Sequence, residues 1–356
     1  MFCCIVLLFG VCGNVYAATE QPDVSIHVGT EESKLASFSV GAEHPWFVRC
    51  GIPSGQKKSD WQIQIRLDSG LQYRESSGLM ILINREGKKL PLSSELHYTM
   101  EAEAAGETVI RIQLTGRGMA YVAENLSYGA NKPQLQIRFS VCVLSGVPDG
   151  KELSGVAEII RKNKPEGSGA VSEKASVYSG GIRIQKVNER GEGLAGAVFQ
   201  LAREASPSEL QDPDIRTKPL QIGEKAIQAV AVPFYTGESD APAYQVVTDA
   251  SGGAVMHGLA AGNYYLVETH APEGYNILNA PVWIRVTKYS HLSEADQIRD
   301  DAGRVIDSTV RIVATQYVLP QTGGAGILCL IFSGGSLVLC AMVLCILRQK
   351  KLLWRW

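Results

Sequence analysis

The residues of this chain that are best arranged for chemistry form a pentapeptide near its C-terminus, Leu319-Pro320-Gln321-Thr322-Gly323. Pro320 holds the backbone extended and has no amide donor, so this segment is kept from pairing into a sheet. Gly323 has no side chain and leaves room for a nucleophile beside the Thr322 carbonyl. The peptide bond between Thr322 and Gly323 is therefore accessible to attack and transfer of the Thr322 acyl group.

Two further elements follow the pentapeptide in a fixed order. Residues 324–347 carry no charge, and a helix rising about 1.5 Å per residue would carry them across a hydrocarbon core of about 30 Å. The tail 348–356 is basic, as the positive-inside rule expects for a cytoplasmic end. The order of these parts predicts a protein that is held at the membrane until it is cleaved.

The three parts together resemble the cell-wall sorting signal of Gram-positive surface proteins. This resemblance implies that a sortase cleaves between Thr322 and Gly323 and joins the new carboxyl group to an amine. The implied location is the cell wall, with residues 319–323 as the sortase site and residues 324–347 as a transmembrane segment. The alternative is an ordinary single-pass anchor preceded by a chance pentapeptide.

The N-terminus indicates export. Residues 2–11 are apolar but too few to span a bilayer, and small residues follow at Ala17 and Ala18. Residues 1–17 are therefore predicted to be a signal peptide. A lipoprotein site at Cys12 is the weaker alternative, because bulky Val11 stands where a small residue is expected.

The composition excludes several classes of function. A net charge of -2 and 7% aromatic residues do not fit a nucleic-acid surface. Only Cys50 and Cys142 lie in the exported part, so neither a disulfide scaffold nor a cysteine-rich metal site is expected, and whether these two pair is open. The six His lack ligand spacing, so no metal or cofactor is expected. A hydrolase built on Cys50 and His44 lacks supporting motifs, so no enzyme is expected.

The exported part is predicted to be all-β, with two tandem β-sandwich domains. The first, 23–163, alternates apolar and polar residues, as at Ile63, Ile65 and Leu67, and has one short helix at 117–125. A polar, Gly/Ser-rich linker at 164–180 leads to the second domain, 181–315. Its segment 203–245 carries five Pro and is expected to be an irregular insertion.

The second domain resembles the Cna B-type domains (SpaA-like, prealbumin-like) of Gram-positive adhesins and pilins. Separated blocks in the family's order carry this resemblance: residues 181–188, 193–199, 248–252, 258–269 and 271–275.

The first domain more loosely resembles the preceding sandwich domain of fimbrial shaft proteins. The matching segments are residues 40–41, 52–53, 67–73, 97–99 and the junction 177–181. Both resemblances imply that the two sandwiches are Ig-like or prealbumin-like. They also imply a pilin-type surface protein that serves as a structural stalk, or as a minor or anchoring pilus subunit with a role in adhesion. Its implied partners are a sortase and, covalently through Thr322, a peptidoglycan precursor or another pilus subunit.

The resemblance to Cna B-type domains also implies a chemistry. Many such domains form an isopeptide bond between a Lys on the first strand and an Asn on the last strand, with catalysis by a buried acid. Burial favours a neutral amine and raises the pKa of a carboxyl group, which suits proton transfer. Lys186 lies on the inward face with Ile182 and Ile184 by period two, and Glu268 matches the family's acid.

The acceptor of that bond is missing. Ala314 stands on the inward face of the last strand where relatives carry Asn, and it has no carboxamide to attack. A buried ion pair of Lys186 and Glu268 without a bond is therefore expected. Asn276 and Asn279, in a predicted loop, are the alternative acceptors.

In the first domain, Lys34 and Asn163 roughly match the family's bonding positions. The expected acid is absent, because Ile65 stands there between Gln64 and Arg66. A solvated Lys34 and a boundary Asn163 are therefore favoured over a bond.

Polymerisation needs a nucleophilic lysine, which shaft pilins usually carry in a Tyr-Pro-Lys motif. Residues 162–165 are the nearest segment and do not match, so wall anchoring is expected rather than a polymerised shaft. The alternative function is a monomeric adhesin whose first domain binds a host matrix protein or glycan. Trp46, if exposed, or the segment 203–245 would form its site.

Overall fold

The computed structural model describes residues 24–52, 61–161, 169–292, 309–316 and 342. Apart from one short helix, the regular secondary structure of these residues is all β-strand, so the all-β prediction is confirmed. The helix expected at 117–125 is α1 (Gly116–Glu124), and its N-terminus is capped by the Thr115 hydroxyl, which accepts from the Gly118 amide.

The ends of the chain fall almost entirely outside this description. The predicted signal peptide, the sorting pentapeptide and the basic tail lie outside the described residues, as does the predicted membrane segment except for Met342. Within the part of the chain that is described, no helix is long and apolar enough to cross a membrane.

The first sandwich consists of two sheets in which most neighbouring strands are antiparallel. Its strands are β1 (Val24–Val28), β2 (Leu35–Ser37), β3 (Glu43–Gly51), β4 (Trp61–Leu67), β5 (Leu71–Tyr73), β6 (Leu79–Ile83), β7 (Lys89–Leu92), β8 (Tyr98–Ala105), β9 (Glu107–Leu114), β10 (Gln134–Val143), β11 (Leu153–Arg161) and β12 (Ala175–Tyr178). One sheet has the order β1-β3-β10-β6-β7, with β5 also paired to β10, and the other has the order β2-β12-β11-β4-β9-β8. The predicted linker 164–180 thus contains strand β12, in which Ala175 and Val177 are buried.

The second sandwich begins almost directly after β12. Its strands are β13 (Gly180–Val187), β14 (Val198–Glu204), β15 (Lys218–Ile222), β16 (Lys225–Ala231), β17 (Val246–Val247), β18 (Gly253–Leu259), β19 (Gly262–His270), β20 (Val282–Val286) and β21 (Val310–Val313). One sheet has the order β18-β13-β21, and the other has the order β15-β16-β14-β19-β20, with β17 paired to β14. Strand β21 runs parallel to β13, which brings the C-terminal end of the domain beside its first strand.

Each sandwich has its own hydrophobic core. The expected alternation on β4 is confirmed, because Ile63, Ile65 and Leu67 are fully buried. Trp46, which would have to be exposed to form the site of the alternative adhesin, is also fully buried. On β3 the even-numbered residues face the opposite sheet, and the Trp46 ring lies 6.4 Å from the ring of Phe139 in the core.

The segment 203–245 is more regular than expected. It contains the hairpin of β15 and β16, and β16 pairs with β14 so that the hairpin extends the sheet. Proline misled the sequence interpretation here, because Pro219 lies on the edge strand β15, where a missing amide donor costs no ladder bond. The turn uses Gly223 at a φ of 58°.

Strand register separates the two exported cysteines. Cys50 lies opposite Leu135, whereas Cys142 lies opposite Glu43. The two thiols are thus seven residues apart along the ladder, or about 24 Å, which is too far for a disulfide between them. Similarly, His44 and Cys50 are six residues apart on one strand, about 20 Å, so they form no catalytic pair.

His44 is a buried titratable group in the first core. The ring of His44 stacks on the ring of Phe38 at a centroid distance of 4.1 Å, and the residue as a whole is only 1% exposed. Burial lowers the pKa of His44 to about 4, although a hydrogen bond to the Ala42 carbonyl acts in the opposite direction. The folded protein therefore holds His44 neutral at pH values where the unfolded chain protonates it.

Acid is expected to destabilise the first sandwich through His44. Between pH 6.5 and 4 the unfolded state binds the additional proton, so the free energy of unfolding falls as the pH falls, by about 3 kcal/mol from pH 7 to pH 4. Urea unfolding of the wild type and of His44→Phe across this range measures the effect. The variant should lose about 3 kcal/mol less than the wild type, and parallel pH profiles would refute this assignment.

Candidate functional site: a buried lysine–glutamate pair

Lys186 and Glu268 come from facing sheets of the second sandwich. Lys186 is on β13, the central strand of its sheet, and Glu268 is on β19. Period-two alternation turns Lys186 inward with Ile182 and Ile184, as the sequence predicts. The residue is 0% exposed and ranks in size with the largest side chains of the core.

The two charged groups meet in the core. Nζ of Lys186 lies 2.8 Å from Oε1 of Glu268, and both side chains are 0% exposed. The other carboxylate oxygen, Oε2, accepts a hydrogen bond of 2.9 Å from the Leu278 amide. The ring of Phe199 lies 5.8 Å from Nζ. In the described part of the chain, neither Nζ nor Oε1 forms a hydrogen bond of good geometry, so their contact is an ion pair.

This environment decides what the pair can do. Each group alone would carry a desolvation cost of several kcal/mol, so each depends on the other in the folded state. An amine beside a carboxyl group in a dry core is also suited to attack on a carbonyl, provided that an electrophile lies within reach.

The described residues supply no such electrophile. Lys186 pairs in register with Ile312 on β21, and Ala314 follows two residues later on the same inward face. Ala314 is 1% exposed, and its amide donates to the Val187 carbonyl at 2.8 Å. A methyl group offers neither a carbonyl carbon nor a leaving group.

The alternative acceptors point elsewhere. The Asn276 side chain is exposed, and its Nδ2 donates to the Gln316 carbonyl at 3.2 Å. Asn279 is exposed as well. Neither residue lies in the buried core that holds Lys186, so among the described residues the lysine and the acid come together without an amide acceptor.

The second domain is therefore expected to have no isopeptide bond. The mass of the purified exported chain, measured by electrospray ionisation, should equal the mass summed from its residues. A mass lower by one ammonia would contradict this expectation.

The weaker candidates in the first sandwich are not brought together in the described residues. Nζ of Lys34 donates to the Ile26 carbonyl at 2.7 Å, and Asn163 lies outside the described residues. Burial lowers the pKa of Lys34, whereas the charge of Glu173 raises it. Ile65 is fully buried with no acid in its place.

A second buried carboxylate was missed by sequence reasoning. Asp149 follows a proline in the turn between β10 and β11, a position typical of an exposed residue. Its side chain is nevertheless only 1% exposed, because it contacts the second sandwich at His257. No local signal could have found it, because its partner lies more than a hundred residues further along the chain.

Comparison with known proteins identifies the type of the second sandwich. Residues 180–299 match the family of SpaA prealbumin-like fold domains, which agrees with the second sandwich. The chain therefore contains a prealbumin-like domain of the SpaA type.

One relative of this chain is a fimbrial subunit. The chain is 24% identical over 312 residues to the type 1 fimbrial subunit of Actinomyces viscosus, and the alignment covers 80% of this chain and 56% of the relative. The chain thus spans little more than half the length of that subunit.

The fold is shared with pilins of known structure. The fimbrial protein FimP of Actinomyces oris superposes with a TM-score of 0.58 at 17% identity, over 83% of this chain and 68% of that chain. A 35 kDa C-terminal fragment of a major pilin of Streptococcus agalactiae gives 0.55 at 19% identity, over 83% and 100% of the two chains. At these identities the likeness establishes the fold.

Proposed function

We propose that this protein is a pilin-type structural subunit of the Gram-positive cell surface, fixed to the cell wall by a sortase. The observation that carries the proposal is the order of parts along one chain. A pair of tandem sandwiches with the pilin fold over 83% of the chain is followed by the pentapeptide at 319–323, an apolar run and a basic tail. In such a protein the sandwiches form the stalk, the pentapeptide is the sortase site, and the apolar run and basic tail hold the chain in the membrane.

The covalent step is a transpeptidation at Thr322. The bond from the Thr322 carbonyl to the Gly323 nitrogen breaks, and an amide to an amine of a peptidoglycan precursor or another pilus subunit forms. Until then, residues 324–347 hold the chain in the membrane. Because the sequence has no Tyr-Pro-Lys motif, the favoured role is an anchoring or minor subunit.

A structural role also fits the chemistry of the core. The amine of Lys186 and the carboxylate of Glu268 are fully buried, so no substrate reaches them. Their role in this proposal is to hold the two sheets of the stalk domain together, without an isopeptide bond.

Immunoblots of wall extracts from cells with and without the sortase test this proposal. One wall-linked band that disappears without the sortase is expected, and Thr322→Ala should abolish it in the presence of the enzyme. Thr315→Ala, outside the pentapeptide, is the matched control and should be anchored normally. A free membrane form under both conditions would contradict the sorting proposal. A ladder of high-mass species would show that the protein polymerises and would contradict the anchoring role.

The alternative role is a monomeric adhesin for a host matrix protein or glycan. Trp46 is excluded as its site by burial, but the segment 203–245 exposes Leu210 and Tyr244, with 53% and 55% of their surfaces accessible. Binding of the purified exported chain to immobilised matrix proteins and glycans, compared with a Leu210→Ser/Tyr244→Ser variant, measures this role.

A further inference from the structure

The two sandwiches are joined without a flexible linker. Strand β12 ends at Tyr178 and β13 begins at Gly180, so only Ser179 lies between them. Ser179 is 1% exposed, and its carbonyl accepts a hydrogen bond of 2.7 Å from the Gly150 amide. The relative orientation of the sandwiches therefore depends on side-chain and backbone contacts at this junction.

Asp149 makes the central contact. It belongs to the first sandwich, yet both of its carboxylate oxygens are bound by the second. Oδ1 accepts a hydrogen bond of 2.9 Å from the Gly258 amide, and Oδ2 lies 2.6 Å from Nδ1 of His257. The side chain is 1% exposed. A carboxylate in so dry a place is stable only while both partners remain in position.

Two glycines of the second sandwich lie at this contact, and one of them, Gly181, makes room for the carboxylate. A Cβ on Gly181 would overlap with Oδ2 of Asp149. Gly258 has a φ of 73°, and its carbonyl accepts a hydrogen bond of 2.9 Å from the Val40 amide. The same residue thus binds the first sandwich through both its amide and its carbonyl.

Further polar contacts flank the Asp149 contact. The amides of Ala260 and Ala261 donate to the hydroxyls of Ser39 and Ser37 at 3.1 and 2.8 Å. A third contact is the ion pair of Lys288 and Glu152, whose charged atoms are 2.5 Å apart. These contacts lie on loops and strand ends of both sandwiches.

We propose that Asp149 locks the two sandwiches into one rigid unit. The physical reason is the asymmetry of buried hydrogen bonds. Loss of the carboxylate leaves the buried Gly258 amide without its acceptor, and this penalty favours opening of the junction to water. A stalk with a stiff joint transmits load along its length, whether it is anchored alone or within a pilus.

Hydrogen exchange of the full chain in detergent, followed by mass spectrometry, tests this proposal. Asp149→Ala is expected to speed exchange about tenfold or more in peptides covering 37–41 and 257–261, on both sides of the junction. Exchange in the cores, for example at 63–67 and 264–268, should be unchanged. Asp240→Ala, an exposed acid, is the matched control and should leave all four peptides unaffected.

The isosteric variant guards against a general folding defect. Asp149→Asn keeps an oxygen that can accept from Gly258, so it should exchange more slowly than Asp149→Ala at 257–261. Acceleration that is confined to residues 148–151 in Asp149→Ala would overturn the proposal, because it would mean that the carboxylate supports only its own turn. Equal acceleration of core and junction in both variants would overturn it too.

Discussion

Replacement of Glu268 by Ala is expected to destabilise the second sandwich by about 3–5 kcal/mol, the range for removing one partner of a buried ion pair. The reason is the fully buried ammonium of Lys186, which has no hydrogen-bond partner among the described residues. The variant also loses the acceptor for the Leu278 amide. Urea unfolding followed by the signal of the second domain measures the loss.

Two controls separate the ion pair from other effects. Glu273→Ala removes an exposed acid in the loop after β19 and should change stability by less than about 0.5 kcal/mol. The double variant Lys186→Met/Glu268→Gln removes both charges but keeps an acceptor for Leu278, and it should recover most of the loss. A cost for Glu268→Ala no larger than that of Glu273→Ala would contradict the role of the pair.

Ala314→Asn is expected to install the missing isopeptide bond. Position 314 lies on the inward face of the chain beside β13, two residues beyond the register partner of Lys186. Lys186 would first pass a proton to Glu268, and the resulting neutral amine would attack Cγ of the new Asn. Glu268 would then shuttle protons to the carboxamide nitrogen, which leaves as ammonia. The bond would close a loop of more than a hundred residues, which by the loop-entropy relation is worth about 4–5 kcal/mol.

Mass spectrometry detects the bond, and thermal unfolding measures the stability that it adds. The variant should be lighter than its residue sum by one ammonia and should unfold at a higher temperature than the wild type. Val313→Asn places the same amide on the half-exposed opposite face and should keep its full mass, as should Ala314→Asn in a Glu268→Gln background. A folded Ala314→Asn variant of unreduced mass would show that the geometry of the site is wrong.

The sequence was sufficient wherever a two-residue period was clear. Counting from Ile182 and Ile184 placed Lys186 inward, and the alternation on β4 placed its core residues correctly. The same period placed Ala314 on the inward face of the last strand, and this residue is 1% exposed. These inferences depend only on local geometry.

The failures came from tertiary context. Strand β3 carries apolar residues on both faces around Trp46, so its sequence pattern does not show which face is buried. The hairpin of β15 and β16 was hidden by Pro219, which an edge strand tolerates. The partners of Asp149 lie in another domain, and no spacing rule reaches that far. Burial that depends on a partner far away in the sequence cannot be predicted from a single sequence.

The most direct measurement of the central claim is the structure of the C-terminus on the wall. We expect mass spectrometry of peptides released from purified walls to identify a C-terminal peptide that ends at Thr322, with its carboxyl group in an amide bond to a wall-peptide amine. A C-terminal peptide that continues through Gly323 into the apolar run, in the mature surface protein, would contradict the account.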